Sequence, residues 1–404
     1  MSKRIVALIC LFLMTVGFVF ATGSREEQGK IIIFQSKVEI TDALSEAAKR
    51  FTEETGIPVE IWESTGDDYR AQLKLKLAGD EVPTIFSVSK GAEADMFKSY
   101  LANISSGLIQ SYISNPLSLV IDGKEVGVPY NVEGYGLVTN DDLVPESAFN
   151  TEEAFIKTLK ILASQDLNTL GLSQESYFLI GHILNTPFAL MADPFDFIKK
   201  YEKGGIRLAR LFEFKAFASL LETIRDYSDN PLEINYDRAC GDFATGKTAM
   251  IHQGNWCYGM FKDYDINFKM SMQPLPLLDN QKLSVSVPYY WVVNSQTTNE
   301  AQANSIKFLD WLYTSEVGMD YIVNKFGFVP AVSNISIDKL DPLSASVATA
   351  ARTGNTLDWT FGLWPMNIID TDFAPLCQKF FTTPYMSGID LVNEIDKAYQ
   401  SRLK

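Results

Sequence analysis

Between Ile31 and Val88 short apolar runs alternate with stretches of helical periodicity, and that alternation leaves few folds open. Ile31-Ile32-Ile33-Phe34 reads as a buried strand, and Thr41-Asp42 opens a helix with apolar positions Leu44, Ala47, Ala48 and Phe51 that stops at Gly56-Ile57-Pro58. Val59-Glu60-Ile61-Trp62 is the next strand, a second helix runs through Leu73 and Leu77 to Gly79, and Pro83 precedes a third strand over Thr84 to Val88. Strands that alternate with helices predict an α/β fold with a mainly parallel sheet covered on both faces. Such sheets bind ligands beyond the carboxyl ends of their strands. Ser36, Lys37, Ser89 and Lys90 stand at those ends.

The 404 residues, 46% of them hydrophobic, can bury a sizeable core and favour two lobes over one. The first four residues, Met1-Ser2-Lys3-Arg4, lead into an unbroken apolar run from Ile5 to Phe20 that closes on Val19-Phe20-Ala21. That pattern predicts a secretory signal peptide over 1–21 and a mature chain beginning near Thr22, an uncleaved membrane anchor being the competing reading. Cys10 lies inside the apolar run and no cysteine stands near Thr22, so the expected product is not a lipoprotein. Loss of Lys3 and Arg4 takes the formal charge from −15 to −17. So acidic a chain repels phosphate backbones, which argues against nucleic acid as a partner. Cys240, Cys257 and Cys377 remain; a Cys240 to Cys257 bridge is conceivable, yet an odd count cannot carry a disulfide framework.

Gly241-Asp242-Phe243-Ala244-Thr245-Gly246-Lys247-Thr248 fits the phosphate-binding string G-x-x-x-x-G-K-[ST] at every specified position. The string binds phosphate when a strand enters the loop and a helix leaves it, so that the helix N-terminus holds the anion. Here the order is reversed: helical residues precede Gly246 and the strand-like Ala249-Met250-Ile251-His252 follows, which makes Gly246 a helix C-cap. His182 and His252 are the only histidines, neither in metal-ligand spacing, and both read as structural. No G-x-S-x-G elbow occurs and no cofactor is implied; a glycosidase built on two opposed carboxylates is the enzymatic alternative. Farther along, Asn299 and Gln302 have capping-box spacing ahead of a helix carrying Ile306, Leu309 and Leu312, and Ser315 begins another that ends at Gly327.

Phe243-Ala244-Thr245-Gly246-Lys247-Thr248-Ala249-Met250 followed by Gly254-Asn255-Trp256 resembles the F-x-x-G-x-A-A-M…G-x-W motif of family 1 extracellular solute-binding proteins, the maltose-binding-protein-like sugar receptors of ABC transporters, with Thr248 in place of the usual alanine. Pro83-Thr84-Ile85-Phe86, the stretch Val128 to Asn140, Gln273-Pro274-Leu275-Pro276, Lys307-Phe308-Leu309 and Gly327-Phe328-Val329-Pro330-Ala331 resemble further segments of that family in the family's order. The resemblance implies a periplasmic-binding-protein-like type II fold, with two α/β lobes, a hinge and a ligand cleft. It places 30–133 and 284–332 in the N-terminal lobe and 134–283 and 333–404 in the other. The implied function is that of a monomeric, extracytoplasmic, non-enzymatic receptor that closes over a carbohydrate and presents it to the permease subunits of an ABC importer.

By the same resemblance Trp256 supplies a stacking face and Glu133 a carboxylate for sugar hydroxyls, while Trp364, or else Trp359, is the aromatic of the C-terminal segment. Tyr130, Tyr289 and Tyr290 are further candidates, with Ser36 and Ser89 at the strand ends. Flat aromatic faces for ring C–H groups beside fixed polar atoms are what sugar recognition requires. The family's charged and aromatic residues after the third strand are replaced here by Ser87, Ser89 and Lys90, which implies a sugar preference unlike that of maltose-binding protein.

Overall fold

A computed structural model describes residues 29–37, 40–62, 69–114, 117–165 and 167–403. The expected signal segment and the mature start at Thr22 lie outside these residues. In chain order the strands are β1 (Ile31–Phe34), β2 (Val59–Trp62), β3 (Ile85–Val88), β4 (Leu119–Ile121), β5 (Lys124–Pro129), β6 (Glu133–Asn140), β7 (Asn168–Gly171), β8 (Thr248–Gly254), β9 (Met270–Gln273), β10 (Leu283–Ser286), β11 (Tyr290–Val293) and β12 (Thr356–Leu357). The chain divides into two compact units. One runs up to Asn131 and includes Val287–Ser336; the other comprises Val132–Ser286 and the chain from Ile337 onward.

In the first unit the sheet order is β2-β1-β3-β11-β5-β4. The helix Thr41–Thr55 buries Leu44, Ala47, Ala48 and Phe51 along one stripe. It ends where Gly56, at φ 72°, donates its N–H to the Thr52 carbonyl. β2-β1-β3 are parallel, as the alternating pattern predicts, but β11 pairs antiparallel with both β3 and β5, and β4 antiparallel with β5. The sheet is therefore mixed. A strand delivered by the returning chain, with no preceding crossover helix of its own in this sheet, is free of the constraint that keeps βαβ neighbours parallel. Polar groups in this core are paired: Trp291 Nε1 donates to the Tyr313 hydroxyl at 3.0 Å, which donates to the Tyr130 carbonyl at 2.9 Å.

The second unit has the order β12-β10-β6-β8-β7, with β9 also on β6. β6 is antiparallel to β8, β9 and β10, whereas β7 is parallel to β8 and β12 to β10, so β6 alone runs against the rest. Its core gathers Phe155, Phe188, Phe214, Phe217, Phe373 and Tyr399 from the surrounding helices. The helices Phe212–Tyr227 and Gly388–Arg402 approach so closely that a Cβ on Gly388 would lie 2.1 Å from the Ala218 carbonyl oxygen.

Local expectations from sequence meet the structure unevenly. The helix Tyr236–Ala244 precedes Gly246, whose φ of 73° and N–H to the Phe243 carbonyl (2.9 Å) close the helix, and β8 follows. Helix before glycine and strand after it is the reverse of a phosphate-binding loop, and Lys247 pairs instead with Asp242 at 3.1 Å. The helix expected to be capped by Asn299 and Gln302 is capped one residue earlier: Thr298 Oγ1 accepts from the Ala301 N–H, while Gln302 turns its amide to the Ser295 and Thr297 carbonyls. Ser315 caps its helix through the Gly318 N–H. Cys240, Cys257 and Cys377 are free and buried, so no Cys240 to Cys257 bridge is present. Among the described residues no helix is long and apolar enough to cross a membrane.

Candidate functional site

The second unit carries a compact set of rings drawn from four separate stretches of chain. β6 contributes Tyr135, and opposite it in register lies Gly254 of β8. Two residues back along β8, on the same face, is His252. The turn that follows β8, Asn255–Phe261, brings Trp256, and the chain entering the helix His182–Ala189 brings Tyr177, Phe178 and His182. A C-terminal segment adds Trp359 and Phe361. His182 is at the centre: its ring stacks on Tyr135 (4.0 Å, 12°) and lies 5.6 Å from Trp256, 5.9 Å from Phe361, 6.0 Å from His252 and 6.3 Å from Trp359.

Each piece is locked by a local interaction that the sequence supplies. Asn255, just before Trp256, accepts from the Gly134 N–H at 3.0 Å and donates to Ser344 at 3.3 Å, which ties the turn to β6. Trp256 Nε1 donates to Gln253 Oε1 at 3.1 Å. Gly254 makes room for the indole: a Cβ there would lie 2.2 Å from two ring carbons of Trp256. The glycine two residues before the tryptophan is thus a steric requirement of the ring's position. On the helix bearing His182, one turn further along, fully buried Asn185 donates to the Asp358 carbonyl at 2.9 Å and accepts from the Thr360 N–H and hydroxyl at 2.7 and 2.8 Å. That clamp holds the segment bearing Trp359 with its ring 5.2 Å from Tyr135.

The polar atoms of this ring set are unusual. Among the described residues His182 Nδ1, His252 Nδ1, Gln253 Nε2 and Trp359 Nε1 are buried and have no hydrogen-bond partner. An unmet buried donor or acceptor costs about 1–3 kcal/mol, and buried polar groups are nearly always satisfied, so four in one place mark a surface built to receive hydrogen bonds from outside the chain. Both imidazoles are held neutral. Burial pushes His252 down to about 4, the Phe178 backbone opposing this, and burial together with the neighbouring His252 pushes His182 well below 6.5. Among the described residues no cluster of three or more His, Cys, Asp or Glu side chains could hold a metal ion.

The residues nominated from sequence are distributed as follows. Trp256 and Trp359 are half-buried members of the ring set. Glu133 is buried on β6, two residues from Tyr135 and on the same strand face. Trp364 is a correction: at 3% exposure it packs 5.0 Å from Phe188 and 5.8 Å from Phe373, inside the core, so its ring offers no binding face. Tyr130 and Tyr290 are likewise core residues of the first unit, Tyr130 stacked 3.8 Å from Trp291. Ser89 spends both its N–H (2.8 Å) and its hydroxyl (2.6 Å) on the buried Glu93 carboxylate. Ser36 accepts from Ser87 at 3.2 Å and Tyr289 is half-buried beside Tyr130. Sequence reasoning missed Tyr135, His182, His252, Gln253 and Asn185; the only available signal was that His182 and Asn185 share a helix face three residues apart.

Comparison with proteins of known family and structure places this geometry. Apo RafE from Streptococcus pneumoniae superposes over 93% of this chain and 98% of its own with a TM-score of 0.76 at 19% identity. A chitin oligosaccharide binding protein matches over 93% and 99% with a TM-score of 0.74 at 17% identity. Maltose-bound MalE3 of T. maritima matches over 92% and 99% with a TM-score of 0.70 at 15% identity. These likenesses establish the two-lobed type II periplasmic-binding fold. The sequence model described as bacterial extracellular solute-binding protein matches residues 46–350, well over half of the chain, and the protein therefore belongs to the bacterial extracellular solute-binding protein family.

Proposed function

We propose that the protein captures a neutral carbohydrate outside the cytoplasm and hands it to the permease of an ABC importer, with no chemical step of its own. The observation that carries this reading is the coincidence, on one face of the second unit, of the half-buried Trp256 and Trp359 rings with four unmatched buried polar atoms. Sugar rings present C–H faces that stack on indoles and a fringe of hydroxyls that both donate and accept, which is the complement of that surface. Glu133, on the same face of β6 as Tyr135, adds an acceptor for hydroxyl protons. Neutral imidazoles suit an uncharged ligand, because no ligand ionic group is needed to satisfy them. Several structural relatives are sugar receptors by description, RafE in complex with raffinose among them, which accords with this class of ligand.

A thermal-shift screen against mono- and oligosaccharides tests the reading. A ligand present at a hundred times its dissociation constant stabilises the fold by about 2.7 kcal/mol, so a true ligand raises the melting temperature by several degrees. Failure of every neutral carbohydrate, with amino acids, peptides or polyamines shifting the transition instead, rejects it. Cleavage of an oligosaccharide during incubation rejects the absence of a chemical step.

A further inference from the structure

His182 has no assigned role, yet it is the most enclosed polar side chain of the ring set. It is 5% exposed, and Tyr135 covers one face of its imidazole at an interplanar angle of 12°. Tyr177 and Phe178 (each 5.7 Å), Trp256, Phe361, His252 and Trp359 surround it, so neither the tilt nor the position of the ring is free to adjust. The helix position is fixed as well, since Asn185 on the next turn is clamped to Asp358 and Thr360. A rigid imidazole with an unpartnered, buried Nδ1 between two indoles is an expensive arrangement for a purely structural residue. Packing alone would be met by phenylalanine or leucine at lower cost.

We propose that His182 is a specificity-determining residue, reading a single hydroxyl of the bound carbohydrate through Nδ1 while Trp256 and Trp359 hold the ring that bears it. This rests on the carbohydrate reading above and deepens it. A neutral imidazole nitrogen can accept from or donate to a hydroxyl according to tautomer, so either sense satisfies both partners. A ligand lacking that hydroxyl leaves Nδ1 buried and unmet again. Discrimination of this kind is stronger than that from an apolar pocket, which tolerates a missing or added group. The unmatched Gln253 Nε2 and Trp359 Nε1 can only donate, so the ligand atoms facing them must be acceptors, which the ring and hydroxyl oxygens of a sugar supply.

The test is calorimetric titration of the full-length protein and of His182→Phe and His182→Asn with the sugar that gives the largest thermal shift, and with its singly deoxygenated analogues. For the parent, removal of one particular hydroxyl weakens binding roughly 5- to 150-fold. His182→Phe binds the intact sugar about tenfold more weakly and no longer distinguishes that one analogue, while the penalties at other positions persist. His182→Asn, which can place an amide near the former Nδ1, restores part of the discrimination. Should phenylalanine not be accommodated, His182→Met gives the same comparison with a flexible side chain that lacks a strong hydrogen-bonding group. Equal weakening for every analogue, or discrimination retained at all positions in His182→Phe, overturns the proposal while leaving carbohydrate capture intact. A parent that binds no carbohydrate overturns both.

Discussion

Replacing Gly254 by alanine perturbs the ligand face without removing any of its rings. Gly254 has φ −107° and ψ 176°, ordinary extended backbone that alanine adopts without strain, so the effect is steric. The new Cβ would lie 2.2 Å from Trp256 Cη2 and Cζ3 and 2.5 Å from Cε3. Carbon atoms settle at about 3.5–4.0 Å, so the indole must withdraw by more than ~1 Å. That movement breaks the 3.1 Å bond from Trp256 Nε1 to Gln253 Oε1, worth about 1 kcal/mol, and takes the ring off the plane shared with its neighbours. Adding the ~0.5–1.5 kcal/mol specific to an aligned aromatic contact, ligand affinity falls by about 1.5–2.5 kcal/mol, or roughly 10- to 70-fold. The unliganded fold is little affected, because Trp256 is half-buried and Gly→Ala at a compatible conformation recovers ~0.4–1 kcal/mol from the unfolded chain. Calorimetric titration with the best sugar and a melting curve of each unliganded protein measure the two quantities. Undiminished affinity in Gly254→Ala would show that the position of the Trp256 ring is irrelevant to binding. A large loss of melting temperature with affinity unchanged would assign the ring to the core.

Two further outcomes follow from the second unit alone. With His252 held down to about 4 and His182 well below 6.5, the unfolded chain binds protons that the folded one does not as the pH drops below 6.5. Stability therefore falls with decreasing pH in that window, by about 2 kcal/mol per histidine at pH 5 relative to pH 7.5; urea melts at the two values should differ less in His182→Phe than in the parent, and an identical difference would refute the burial argument. Gly388→Ala forces a methyl group to within 2.1 Å of the Ala218 carbonyl oxygen on a facing helix, where backbone rather than a yielding side chain is struck, and should destabilise by ~3 kcal/mol in chemical denaturation; an unchanged midpoint would contradict so close a helix approach.

What could be read in the sequence depended on how local each signal was. The opening strands and helices between Ile31 and Val88 were legible because periodicity, Gly56 and Pro83 lie within the elements they delimit. The antiparallel entry of β11 was not, since nothing near Tyr290 to Val293 encodes the neighbours a returning strand will find. Trp256 was legible through its glycine, and the structure supplies the reason in the space beneath the indole. Trp359 and Trp364 flank the same short irregular segment, and which of them faces outward is decided by a distant clamp, Asn185 on Asp358 and Thr360. His182 and His252 looked like solitary structural histidines because the contact that gives them meaning, with each other and with Tyr135, joins segments far apart in the chain. A thiol pair such as Cys240 and Cys257 was equally ambiguous, proximity in sequence saying nothing of bonding.

The most direct measurement is a crystal structure of the protein grown with a saturating concentration of the sugar that gives the largest thermal shift. The account predicts a sugar ring stacked on the Trp256 face with carbon contacts of about 4 Å, one of its hydroxyls at hydrogen-bonding distance from His182 Nδ1, and oxygens facing Gln253 Nε2 and Trp359 Nε1. A sugar bound elsewhere, touching none of Trp256, Trp359 and His182, would contradict it.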